Sequence, residues 1–158
     1  MEIDLLVSYG PTTTLDAMSS VEIPRPMNGK GLPGPARSRR VVLVVEDDPD
    51  ALEAITAILE DAGYDVLRAG NGSEALRQLA EHQGRCDLIL LDLLMPVMNG
   101  WDFRRKQKDT PAFAAIPVLL MSAGAHMATV SGELNAAGAV TKPVEMADLL
   151  AVVQRHCP

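Results

Sequence analysis

The chain has 158 residues, 47% hydrophobic but only 3% aromatic, so it can build one ordinary domain with a mostly aliphatic core. A formal charge of −7 argues against nucleic acid as its main partner. Two cysteines are too few for a disulfide scaffold or metal cluster, no apolar run reaches membrane-spanning length, and no secretion signal opens the chain; reduced thiols and a cytoplasmic protein without membrane insertion are expected.

Residues 1–40 carry five basic and four acidic residues, whereas 41–158 carry nine and seventeen, so the acidity belongs to the second part. Ile23–Arg40 is dense in Pro and Gly, with neither a helical nor a strand period. It cannot bury enough apolar surface to offset its ordering entropy, which makes residues 1–40 a flexible N-terminal extension. A docking arm charged by Arg37, Arg39 and Arg40 is the alternative.

From Val41 the pattern changes. Val41–Val45 is an all-aliphatic strand followed by Glu46-Asp47-Asp48. Asp48 then Pro49 open a helix, with Leu52, Ile55, Ile58, Leu59 and Ala62 on one face and Gly63 at its end. Asp65–Ala69 reads as a strand and Ser73–His82 as a helix burying Leu76, Leu79 and Ala80. Leu88–Asp92, the run L-I-L-L-D, is apolar enough to be buried on both faces, and Pro96 and Asn99-Gly100 turn the chain into a helix over 101–108. Pro117–Met121 is a strand ending in Ser122, and Ala125–Ala137 a weak helix containing Gly132. Ala139–Thr141 is a short strand before Lys142-Pro143, and Met146–His156 a last helix burying Leu149, Leu150 and Val153.

Five strands alternating with five helices imply an α/β domain, a doubly wound parallel sheet covered on both faces. In such a sheet the strand ends share one edge, so Glu46, Asp47, Asp92, Ser122 and Lys142 converge there. Two carboxylates about 5 Å apart repel by roughly 3 kcal/mol at an effective dielectric of about 20. Protons or a cation must relieve this, and a hard divalent ion, Mg²⁺ above all, suits carboxylates with room for a phosphoryl group. With a lysine and a hydroxyl aimed at the same spot, phosphoryl chemistry follows: Lys142 and the metal stabilise charge and a carboxylate can be the nucleophile. Singly, each residue has a plainer role, as helix cap, strand-end solvation, turn or surface charge. Jointly, four polar strand ends favour function.

These pieces, V-V-L-V-V-E-D-D-P-D, L-I-L-L-D-L-L-M-P-V-M-N-G, V-L-L-M-S-A and V-T-K-P, resemble the receiver domain of two-component response regulators over residues 41–158. The resemblance implies the flavodoxin-like strand order 2-1-3-4-5 and a cis Lys142–Pro143 bond. It implies Asp92 as phosphoacceptor, Glu46 and Asp47 as the acidic pair holding Mg²⁺ with Asp92 and the Leu94 carbonyl, Ser122 as switch hydroxyl, and Lys142 as phosphoryl contact. The donor would be a histidine kinase or a histidine phosphotransfer protein, the target an unidentified protein, with a homodimer left open. A stand-alone receiver ending at Pro158, catalysing only its own phosphorylation and dephosphorylation, is expected.

Two features depart from the family. Ala139 stands where an aromatic usually relays the switch, and the interval from Ser122 to Lys142 is short and holds Gly124, Gly132 and Gly138, so the fourth helix should be atypical and mobile. Leu94, two residues after Asp92, cannot orient an attacking water, which implies slow loss of phosphate. A phosphorylation-independent binding module is the first alternative. A Mg²⁺-dependent aspartyl phosphatase is the second, opposed by Leu94 where such enzymes carry a second Asp. Arg104, Arg105, Lys106 and Lys108 read as a solvated helix face, His82, His126 and His156 as surface residues, and Trp101 as helix packing near the site.

Overall fold

The computed structural model describes residues 38–124 and 127–158. The extension expected over residues 1–40 lies outside the described residues except for Ser38, Arg39 and Arg40. Arg39 pairs with Asp65 at 3.7 Å and Arg40 with Asp87 at 3.0 Å, while the Arg40 carbonyl accepts from the Asp65 amide at 2.9 Å. The described part of the basic cluster is thus engaged with acids of the domain itself.

Ten elements alternate: β1 (Val41–Val45), α1 (Pro49–Asp61), β2 (Asp65–Ala69), α2 (Gly72–Glu81), β3 (Leu88–Asp92), α3 (Gly100–Asp109), β4 (Val118–Ser122), α4 (Met127–Glu133), β5 (Gly138–Thr141) and α5 (Met146–His156). The strands form one parallel sheet in the order β2-β1-β3-β4-β5, the doubly wound arrangement expected. Strand alternation splits the apolar residues into two cores. Leu43, Val45, Ile89, Leu91 and Leu120 pack with Leu79 of α2 and Phe103 of α3, while Val42, Val44, Leu88, Leu90, Leu119 and Met121 pack with Ile55 and Leu59 of α1 and Leu149 and Val153 of α5. All five residues of the central strand β3 are buried.

Local chemistry sets the helix starts. The Asp48 carboxylate accepts from the Asp50 and Ala51 amides at 2.9 and 3.1 Å, fixing α1 where the capping residue and Pro49 predict it. Asn71 caps α2 through the Glu74 amide at 3.0 Å, so this helix starts one residue early and buries Ala75 with Leu79, while Ala80 is exposed. α4 is shorter than expected and ends at Glu133, because the Asn135 amide turns back to the Gly132 carbonyl and Asn135 takes φ +49°.

Three expectations about single side chains are corrected. Arg104 is 5% exposed, because the buried stripe of α3 is Phe103, Arg104 and Gln107; only Arg105, Lys106 and Lys108 form a solvated face. Trp101 lies off that stripe and stays 37% exposed. His156 is half-buried, with Nε2 at 3.1 Å from the Ala137 carbonyl, whereas His82 is exposed and His126 lies outside the described residues. Cys86 and Cys157 are free thiols. Among the described residues no helix is long and apolar enough to cross a membrane.

Candidate functional site

The sheet register builds the site. Val45 stands opposite Leu91, so Glu46 and Asp92 come level on neighbouring strands, and Asp92 stands opposite Met121, one residue before Ser122. Ser122 is paired with Thr141, and the Lys142 amide donates to the Ser122 carbonyl at 2.9 Å, drawing the β5 end into line. The Lys142–Pro143 bond is cis, as the resemblance implies. On the other flank, Gly100 lets α3 begin directly against β3: a Cβ there would lie 2.6 Å from the Asp92 carbonyl oxygen. Its amide donates to the Leu93 carbonyl at 2.9 Å, and Asn99 caps the helix through the Asp102 amide at 2.9 Å.

One carboxylate oxygen from each of Glu46, Asp47 and Asp92 lies within 4.8 Å of the others. Glu46 and Asp92 are buried and Asp47 is exposed, so the cluster opens to solvent on one side. Lys142 Nζ sits 2.6 Å from Glu46 Oε2 and 3.3 Å from Asp92 Oδ2. Burial alone would pull the Lys142 ammonium down, but the Glu46 and Asp92 carboxylates outweigh it and hold its pKa above the usual lysine value. One ammonium against three carboxylates still leaves the pocket anionic.

Glu46 Oε1 accepts from the Asp48 amide at 3.2 Å, but buried Oε2, although in ionic contact with Lys142, has no partner in hydrogen-bond geometry. The Lys142 ammonium is the charge partner of that oxygen, and it is shared with Asp92, so the three carboxylates outnumber the cation that faces them. Three converging carboxylates of this kind fit a small, hard divalent cation.

Of the residues predicted from the sequence, the structure brings together Glu46, Asp47, Asp92 and Lys142. Ser122 joins them by strand register. Leu94 stands at the rim: its amide is 3.4 Å from Asp92 Oδ1 and the residue is 76% exposed. Sequence reasoning missed Gly100, read there only as part of a turn; the signal was a glycine between the capping residue Asn99 and the first turn of a helix that follows the acceptor strand closely. It also missed Val97, which takes φ +67° in the loop between Asp92 and α3.

The comparisons with known proteins agree with this architecture. The model of the response regulator receiver domain matches residues 42–154. The DNA-binding response regulator MtrA of Mycolicibacterium smegmatis is 36% identical over 118 residues, which cover 73% of this chain and 50% of that protein. The chain therefore spans about half the length of this relative. Among solved structures, the chemotaxis protein CheY4 of Vibrio cholerae superposes with a TM-score of 0.69 at 29% identity, covering 75% of this chain and 99% of that one. The signal receiver domain of a signal transduction histidine kinase from Syntrophus aciditrophicus gives a TM-score of 0.65 at 36% identity, with 73% and 88% covered. With the strand order, the acidic cluster and the family match in agreement, the chain belongs to the response regulator receiver family of two-component signalling.

Proposed function

We propose that Asp92 accepts a phosphoryl group from a phosphohistidine on a histidine kinase or a histidine phosphotransfer protein. The observation that carries this is the position of Asp92: buried at the tip of the central strand, with Glu46 and Asp47 within 4.8 Å and Lys142 at 3.3 Å. An Asp92 carboxylate oxygen attacks phosphorus, the P–N bond to the imidazole breaks, and the departing nitrogen keeps the bond's electron pair and takes a proton. Glu46, Asp47, Asp92 and the Leu94 carbonyl would hold Mg²⁺, which when bound neutralises charge on the phosphoryl oxygens. The Lys142 ammonium is already in reach of Asp92 Oδ2 and is available to a phosphoryl oxygen attached there. Ser122, one step along the neighbouring strand, supplies the hydroxyl that reads the new charge.

A groove of about 330 Å³ runs from Glu46 and Lys142 past Ala51, Ala54 and Ile58 of α1 to Val144, giving a donor protein a surface beside the acceptor. The domain acts on no external substrate, signals by protein contact and works in the cytoplasm. The charge of −8 on residues 41–158 opposes direct nucleic-acid contact by this domain, although DNA binding is named for MtrA. The phosphorylation-independent module is the second reading, favoured by Ala139, which offers no aromatic ring to relay a switch.

The test is intact-protein mass after incubation with Mg²⁺ and acetyl phosphate. One phosphoryl group should be added, and none to Asp92→Ala. A well-folded parent that takes up no phosphoryl group would overturn the proposal. Leu94 brings no polar group to the path of water, so the adduct should be long-lived and Leu94→Asn should shorten its half-life several-fold. A Leu94→Asn adduct that outlasts the parent's would refute that role.

A further inference from the structure

Arg104 breaks the ordinary rule for arginines on a helix: it is 5% exposed, and no carboxylate among the described residues pairs with it. Its guanidinium spends its donors on backbone carbonyls beyond the end of α4, with Nε to Leu134 at 3.0 Å and Nη2 to Asn135 at 2.8 Å. Its third nitrogen donates to the Gln107 side-chain oxygen. Gln107 is fully buried, and its Nε2 donates in turn to the Phe113 and Ile116 carbonyls at 2.8 and 3.0 Å. Two side chains of α3 therefore satisfy four carbonyls in two turns, one before β4 and one before β5. The bonds to Phe113 and Ile116 are buried and those to Leu134 and Asn135 part-buried, so each turn is tied to α3 by two side-chain hydrogen bonds.

Both turns lie at the sheet edge opposite Asp92, where β4 and β5 begin. These strands end in Ser122 and lead to Lys142, so the clamp fixes the foot of the two strands whose tips serve the site. α4 runs back from beyond Ser122 to the clamped turn, and a Cβ added at its Gly132 would meet nothing within 4 Å, so that stretch of the helix is open on its outer side. We infer that Arg104, braced by Gln107, is the positioning residue of the switch: it fixes the Leu134–Ala137 turn as a pivot, so that charge added at Asp92 moves only the Ser122 end of α4. This rests on the phosphoacceptor reading above and adds where the motion must stop.

Hydrogen exchange of the full chain, read by mass spectrometry with and without Mg²⁺ and acetyl phosphate, tests it. In the unphosphorylated protein, Arg104→Met should speed exchange of the Leu134, Ala136 and Ala137 amides at least tenfold while α1 stays within twofold of the parent. Arg104→Lys, which keeps the charge but not the forked donors, should fall between them, and provides the reading if Arg104→Met folds poorly. The Asp92 adduct should form within twofold of the parental rate. On phosphorylation, changed exchange in the parent should stop before Leu134, whereas in Arg104→Met it should run through Ala137. Exchange at Leu134–Ala137 that is unchanged in both variants would overturn the inference, as would parental changes there equal to those beside Ser122. If the parent takes up no phosphoryl group, the phosphoacceptor proposal fails, while exchange in the unphosphorylated variants still decides whether Arg104 holds the turn.

Discussion

Val97 sits in the left-handed region at φ +67°, inside a tight turn in which the Met98 amide donates to the Pro96 carbonyl at 2.7 Å. A β-branched side chain is ill suited to that backbone, at a cost of about 1–2 kcal/mol. The residue is 88% exposed, so almost no burial compensates. Asn accepts this conformation far more readily, and Val97→Asn should stabilise the domain by roughly 1 kcal/mol, seen as a higher urea midpoint at unchanged slope. A lower midpoint would mean that the Val97 side chain makes a contact its exposure does not suggest.

At the level of elements, the start of α3 leaves less room for a Cβ than any other glycine position among the described residues. The Cβ of Gly100→Ala would meet the Asp92 carbonyl at 2.6 Å and Leu93 Cα at 2.8 Å, both backbone, so α3 must back away from β3. A loss of about 2 kcal/mol in urea unfolding is expected, with slower uptake from acetyl phosphate as the Asp92 tip shifts. An unchanged midpoint would show that the joint has slack. What the sequence made legible follows the same physics. β1 and β3 were readable because uninterrupted aliphatic runs have few other homes, and α1 because Asp48 and Pro49 mark its first turn. The acidic pocket was readable because parallel strands put their ends together. Arg104 and Gln107 were not, because a guanidinium normally seeks water, and only the distant carbonyls of Leu134 and Asn135 reveal why this one does not. The end of α4 escaped for a similar reason: Asn135 stops the helix through its own backbone, and Ala136 and Ala137 carry no stop signal.

The molecule as a whole should be sensitive to alkali. Burial pushes the Cys86 thiol up to about 11 and also raises Cys157 and Tyr64, whose hydroxyl donates to the Cys157 carbonyl at 2.9 Å. Lys142 is raised too, its carboxylate neighbours outweighing burial. A group raised on folding binds its proton more tightly in the native state, so its contribution is intact below the unfolded pKa and lost as pH climbs through the folded one. For the thiols that window opens near pH 9, and for Lys142 only above about 10.4. The urea midpoint should therefore hold steady to about pH 8.5 and fall towards pH 11, with Cys86→Ala flattening part of the fall. A midpoint that stays level or rises over that window would contradict the assignment. Cys86 is half-buried, so its share is at most about 2 kcal/mol.

Ser38, Arg39 and Pro158 line a single cavity at the bottom of the sheet, and the Arg39–Asp65 and Arg40–Asp87 pairs pin one side of it. Both ends of the described fold thus emerge together, on the side away from Asp92. Such a layout is a plug with all its wiring at the back: cargo, a surface anchor or a host protein joined at either end leaves the front open to phosphoryl traffic. It also means that a short bridge from Pro158 to Ser38, with the chain reopened at an exposed loop, should give a circular permutant that folds to the same sheet.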